Sequence, residues 1–218
     1  MKINFKKYYY KLFDRTKYRF LKSQEKIEND TVVFKENYEN IIYKNLENIR
    51  NKKKLNFLHS GHCGDLVYAL PMVKELSKTH ECNFYVKSNK LMPVPYYKHP
   101  AGTVYVDDRI LKLFLPVLKS QNYINHAGKF DNQDIDIDLD LFRKLPVNIL
   151  FNSPRWYFHI CGIQVDLSKP YMDVPPHEKL KNKIVIHRTF RYRNNFINYK
   201  FLSNYDDIIF VGIKEEYD

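Results

Sequence analysis

The apolar run Leu55-Asn56-Phe57-Leu58-His59 leads into the turn Ser60-Gly61-His62-Cys63-Gly64-Asp65. An apolar-faced stretch, residues 66–76, comes next, and then Cys82-Asn83-Phe84-Tyr85-Val86. A short apolar run bounded by turn residues suits a strand buried on both faces. Strand, glycine-bearing turn, helix and strand in that order open a parallel, doubly wound sheet, so an α/β, Rossmann-like fold is expected. With the helix starting at 66, Pro71 falls in an early turn, where its missing amide costs little.

The downstream pattern continues in kind. Residues 108–119 read as a helix, residues 134–141 as a strand, and residues 153–162 as a helix stopped by Gly162. Lys169-Pro170 and Val174-Pro175-Pro176 form a proline-rich linker. After it, residues 183–187 and 207–212 read as buried strands around an arginine-rich turn, the start of a second βαβ unit. The expected division is a helical extension at 1–54, a Rossmann-like domain at 55–176 and a partial second domain at 183–218.

Charge sets the extension apart. Residues 1–54 hold 15 Lys and Arg against 7 Asp and Glu, which is +8 of the net +11. The segment reads as mostly helical with a polar break near Glu28-Asn29-Asp30-Thr31. Tyr38, Ile41, Ile42, Leu46 and Ile49 recur at helical spacing in its second half. The first half mixes cations with Tyr10, Leu12, Phe13, Tyr18, Phe20 and Leu21. Two placements follow: on an anionic membrane surface, or packed against the domain behind it. No RNA-binding module is recognisable, and no nucleic acid is expected as partner. Cys63, Cys82 and Cys161 are odd in number and widely spaced, which fits a reducing cytoplasm better than a disulfide framework. No signal-like stretch opens the sequence and no run of about 20 apolar residues occurs. A cytoplasmic protein, soluble or peripheral to the inner face of the membrane, is expected.

The turn at 60–65 is the first candidate site. Backbone amides at the start of a helix accept an anion, and Gly61 and Gly64 permit either close approach or positive φ. The spacing is neither the dinucleotide pattern nor a P-loop. His59, His62 and Cys63 are too few for a zinc site, which takes four ligands with paired spacing, and Cys63 has no dedicated base. Alternating acids in Asp134-Ile135-Asp136-Ile137-Asp138-Leu139-Asp140 fit a strand with one wet face better than an Asp-x-Asp metal motif. No metal is expected. The second candidate is the segment from His187 to Asn195, with Arg188, Arg191 and Arg193. It follows a strand, where open α/β sheets bind ligands, and guanidinium forks pair with phosphate oxygens. A solvated basic loop is the alternative. Arg155, beside Trp156 and Tyr157, reads as structural.

The stretch FLHSGHCGDLVYALPMVKEL resembles the N-terminal motif of heptosyltransferase-like glycosyltransferases, through Gly64-Asp65 and the Ala69-Leu70-Pro71 step. The resemblance implies the GT-B architecture of two Rossmann-like domains. It implies transfer of a sugar from a nucleotide-diphosphate donor to a saccharide acceptor, without a metal or other cofactor. Asp65 then matches the general base on the acceptor hydroxyl, with Gly61, His62 and Gly64 shaping the acceptor pocket. Asp65 as an N-cap of the helix is the structural alternative, and for His62 it is an exposed turn residue. Arg188, Arg191 and Arg193 would hold donor phosphate and stabilise the departing diphosphate. A full donor domain needs on the order of 150 residues, so a fragment or a shortened relative is expected, weakly active or inactive alone, with a further chain as one way to complete the second domain. The rival reading is a non-catalytic binding or assembly module that docks through its basic N-terminal helix.

Overall fold

The run after Lys53 forms β1 (Lys54–His59), the strand around which the sheet is built. It pairs with β2 (Glu81–Val86) on one side and β4 (Ile137–Asp138) on the other. With β3 (His126–Lys129) outside β2, the order is β3-β2-β1-β4 and every pairing is parallel. The computed structural model describes residues 5–92, 102–144, 152–187, 194, 196–212 and 214–217. Two compact units emerge, Met1–Asp173 and Val174–Asp218.

Side chains alternate along a strand, so Leu55, Phe57 and His59 share a face with their register partners Cys82, Phe84 and Val86. Cys82 Sγ lies 3.9 Å from the Val73 carbonyl of α4 (Cys63–Leu76), which identifies this as the helix-bearing face. All six side chains are buried, and the five other than His59 share one core with α4 and α6 (Ser153–Cys161). The opposite face is mixed where apolar cover was expected, with the pair Asn56 and Asn83 beside Leu58 and Tyr85. Asn83 Nδ2 donates to Asn56 Oδ1 at 2.8 Å, and Asn56 Nδ2 donates to the Asp134 carbonyl at 2.8 Å. The β3–β4 connection covers this face in place of a helix.

Two helices have the bounds that the sequence indicates. α5 (Asp108–Lys119) starts where Asp107 accepts the Ile110 amide at 2.6 Å. α6 ends at Cys161 because Gly162 takes the left-handed conformation, φ 61°. α4 differs. It begins at Cys63, three residues before the apolar stretch, so Pro71 is interior and its buried ring offers no N–H to the Val67 carbonyl.

Residues 134–141 depart further from the expected strand. Only Ile137 and Asp138 join the ladder, and a 3-10 helix follows at Leu139–Arg143. The carboxylates explain the turn: Asp138 Oδ1 accepts the Asp140 amide at 2.9 Å, and Asp136 Oδ2 accepts the β1 amide of Asn56 at 2.8 Å. The Asp136 and Asp140 side chains are covered and only Asp134 of the four acids is exposed, so the alternation marks hydrogen-bonding positions more than a wet face.

The N-terminal extension divides in two. α2 (Arg15–Asn37) runs straight through the expected break at 28–31, where Thr31 Oγ1 bonds back to the Ile27 carbonyl at 2.8 Å. The interruption falls instead at Asp14, whose carboxylate accepts the Lys17 amide at 2.9 Å. There α1 (Phe5–Phe13) folds back along α2, pairing Lys7 with Glu25. α2 continues through a π-helical turn, Tyr38–Tyr43, into α3 (Lys44–Asn51). Phe34, Ile41, Ile42, Leu46 and Ile49 pack against the core, and Asn45 Nδ2 reaches the Ile160 carbonyl at 3.2 Å. α1 buries nothing. No helix among the described residues is long and apolar enough to cross a membrane.

In the second unit, β5 (Ile184–Ile186) and β6 (Ile208–Phe210) form a parallel pair in register Ile184↔Ile208. A 3-10 helix at Tyr199–Asn204 lies between them in sequence, and the short α7 (Lys214–Tyr217) follows.

Candidate functional site

Successive strands run outward from β1 through β2 to β3, and then the chain returns to the other side of β1 for β4. Such a reversal leaves a crevice at the carboxyl ends of the two strands that flank it. The turn at 60–65 leaves β1 at that end, and the Leu139–Arg143 turn leaves β4 beside it. Lys90 and Tyr105 come to the same place on a short antiparallel pairing, with Asn89 N–H to Val106 O at 2.8 Å and Tyr105 N–H to Lys90 O at 3.1 Å.

Asp140 is the hub. Its Oδ1 accepts the Ser60 amide at 3.0 Å and Arg143 Nη1 at 2.6 Å; its Oδ2 accepts Lys90 Nζ at 2.7 Å and the Ser60 hydroxyl. Burial disfavours charge on Asp140, but the polar groups around it, the Lys90 ammonium and the Ser60 hydroxyl among them, prevail and hold the carboxyl well below the usual carboxylate range. A contribution from His59 needs a proton on Nδ1, which lies 3.3 Å from Asp140 Oδ1. The shorter contact at Nδ1, 2.9 Å, is a donor, the Gly61 amide. That geometry assigns the neutral tautomer with the proton on Nε2, leaving Lys90, Arg143 and Ser60 to hold the charge. Nearby Asp138 is pushed upward by burial and by the Asp140 charge.

A buried chain of hydrogen bonds follows from that tautomer. Gly61 N–H donates to His59 Nδ1; His59 Nε2–H donates to the Tyr157 hydroxyl at 2.8 Å; the hydroxyl donates to the Asp65 carbonyl at 3.1 Å. Burial also pushes the Tyr157 phenol upward, so it stays protonated. His59 thus commits both ring nitrogens within the protein. Cys63 opens α4, yet burial pushes its thiol up, which opposes a nucleophilic role.

Asp65 stands at N3 of α4, so the N-cap is His62, three positions earlier, and the alternative of Asp65 as N-cap is corrected: it accepts the His62 amide at 3.1 Å, the acid's half of a capping box. Arg143 Nη2 also bonds it, at 3.0 Å. Both bonds fall on Oδ2. No bond from the described residues reaches Oδ1, and the side chain remains 21% exposed. Arg143 bridges Asp65 and Asp140 while lying 4.3 Å from the centroids of both Tyr105 and Phe142. Trp156 stacks on the Phe142 ring at 5.0 Å. The guanidinium is fixed on two sides.

The glycines differ from expectation. Neither has positive φ. Gly61 is buried, and a Cβ there would stand 2.6 Å from Arg143 Nη2, Asp65 Oδ2 and His59 Cε1, so the close approach it permits is by the protein's own side chains. Gly64 is exposed and a Cβ would meet nothing within 4 Å. His62 is half-buried, edge-on to Tyr105 at 5.2 Å. Arg188, Arg191 and Arg193 lie outside the described residues. Among the described residues no group of His, Cys, Asp and Glu is arranged to hold a metal ion.

Lys90, Asp140, Arg143 and Tyr157 are the site residues that local sequence patterns miss. Arg143 meets Asp65 across 78 positions and Lys90 meets Asp140 across 50. Only the placement of Asp140 and Arg143 just after β4 offered a signal. Comparison with known proteins finds no matching family model, no matching curated protein and no matching solved structure.

Proposed function

We propose that this chain is a glycosyltransferase-like protein of the GT-B class, acting on a nucleotide-diphosphate sugar and a saccharide acceptor at the inner face of a membrane. Asp65 carries the reading. A general base needs one oxygen held in place and the other turned to the proton it removes. Arg143 and the His62 amide hold Oδ2, and Oδ1 is left to an incoming hydroxyl. The residue sits just past the carboxyl end of β1, at the strand-order reversal where open α/β sheets take ligands, beside the exposed amino end of α4 at Gly64. In this reading Asp140, Lys90 and Ser60 position Arg143 and never touch substrate.

Donor phosphate falls to Arg188, Arg191 and Arg193, which follow β5 in sequence, and charge on the departing diphosphate is met by those cations without a metal. Nucleoside diphosphate titrated into the full chain tests the donor half. Saturable binding that drops at least about tenfold in Arg188→Ala or Arg191→Ala is expected, from loss of a charge-assisted pair. Asp65→Asn tests the acceptor half: with donor binding intact, sugar transfer should fall by about 10² to 10⁴. Unchanged transfer in Asp65→Asn would sink the assignment. If no nucleotide binds at all, the docking-module reading takes its place.

A further inference from the structure

α1 is amphipathic the wrong way round. Phe5, Tyr8, Tyr9, Leu12 and Phe13 recur at i, i+3, i+4, i+7 and i+8, one stripe of a helix. A stripe of that kind normally faces the core. Here Phe5 is 79% exposed, Leu12 77% and Phe13 73%, while half-buried Lys7 and Tyr10 turn toward α2. Lys7 pairs with Glu25 there, and Lys17 of α2 lies 4.9 Å from the Tyr10 ring centroid. The hairpin is held together through its polar side and presents its apolar side outward. Phe20 and Ile27 extend the exposed apolar surface along α2.

Charge surrounds this surface. Between Phe5 and Ile27 stand eight Lys and Arg against two acids. Lys6, Lys11, Arg15, Arg19 and Lys22 make no ion pair among the described residues. An apolar stripe with aromatic residues, flanked by unpaired cations on a helix too short and too polar to span, matches the chemistry of a bilayer interface: acyl chains for the stripe, phosphates for the cations. A duplex nucleic acid would use the cations and leave the stripe in water; a single strand would stack on the rings but gain nothing from Leu12 and Ile27.

We infer that α1 lies in the headgroup layer of an anionic bilayer, with Phe5, Tyr8, Leu12 and Phe13 inward and the hairpin cations against lipid phosphate. This goes beyond the sugar-transfer reading and stands without it.

Co-sedimentation of the full chain with vesicles tests it. Vesicles of phosphatidylcholine with phosphatidylglycerol should bind the chain, and pure phosphatidylcholine should bind it at least about fivefold less for each cation engaged. In Phe5→Ser/Leu12→Ser, affinity for anionic vesicles should drop about tenfold per residue. Lys6→Glu/Lys11→Glu should lose binding that the wild type itself loses in high salt. Circular dichroism and the melting temperature of each variant should match the wild type, since these side chains support no packing. Equal binding to both vesicle types overturns the inference, as does binding indifferent to the Phe5/Leu12 change. So would a concentration-dependent dimer abolished by Phe5→Ser/Leu12→Ser in a chain that ignores vesicles, which gives the stripe to a second copy. Displacement from vesicles by single-stranded RNA, with the Phe5/Leu12 variant binding RNA normally, overturns it in favour of a polyanion.

Discussion

The turn after β1 and the α1–α2 hairpin hold charge in opposite ways. In the turn, Asp65, Asp140, Lys90 and Arg143 are matched to one another at 2.6–3.0 Å. In the hairpin, cations outnumber acids and apolar rings stand in solvent. Buried charges are stable only when paired, so the turn is committed to one geometry and changes there are felt throughout the fold. The hairpin carries no such commitment; its unused apolar surface and charge are available to something outside the chain. One region is therefore sensitive to folding, the other to binding.

The sharpest way to break that contrast is at Asp140. Asp140→Asn leaves Arg143 with Asp65 as its remaining carboxylate partner and the part-exposed Lys90 facing a neutral amide, and should cost about 2–4 kcal/mol in chemical denaturation. The acid limb of stability belongs to the same carboxylate. Its pKa is lowered in the folded state, so its stabilisation is complete above the unfolded value of about 3.9 and is lost as pH falls below that. Melting temperature of the wild type should fall steeply below about pH 4, and Asp140→Asn should flatten that limb. An unchanged acid limb would show the charge to be unimportant. A smaller effect is expected at Tyr157. Tyr157→Phe keeps the ring but leaves His59 Nε2 without its partner, at about 1–3 kcal/mol. The smallest belongs to the hairpin: Leu12→Ser should stay within about 0.5 kcal/mol of wild type in denaturant. A larger loss there would mean that the stripe supports the fold after all, and the contrast would fail.

What was legible in the sequence was local. The β1–turn–α4–β2 unit is written in apolar runs and a glycine turn, and Gly162 marks the end of α6 because few residues other than glycine adopt its conformation readily. Asp140 was not legible as a hub. Acids alternating with isoleucines look like a half-wet strand, and only partners far away in sequence show that Asp136 and Asp140 face inward. Gly61 was legible as a special position, though its reason lies in Arg143, a residue nowhere near it in the chain. For α1 the periodicity of the stripe was present in the sequence, but periodicity states that a helix has an apolar side and says nothing of which way that side points.

The π-helical turn at Tyr38–Tyr43 joins these two regimes. A straight α-helix advances about 100° of azimuth per residue, and a wider turn carries an extra residue without breaking the rod. The hairpin's bearing around the helical axis is therefore clocked by the residue count of this one segment. Lengthening or shortening it by a single position would swing the aromatic side to a new compass point while the sheet stayed where it is.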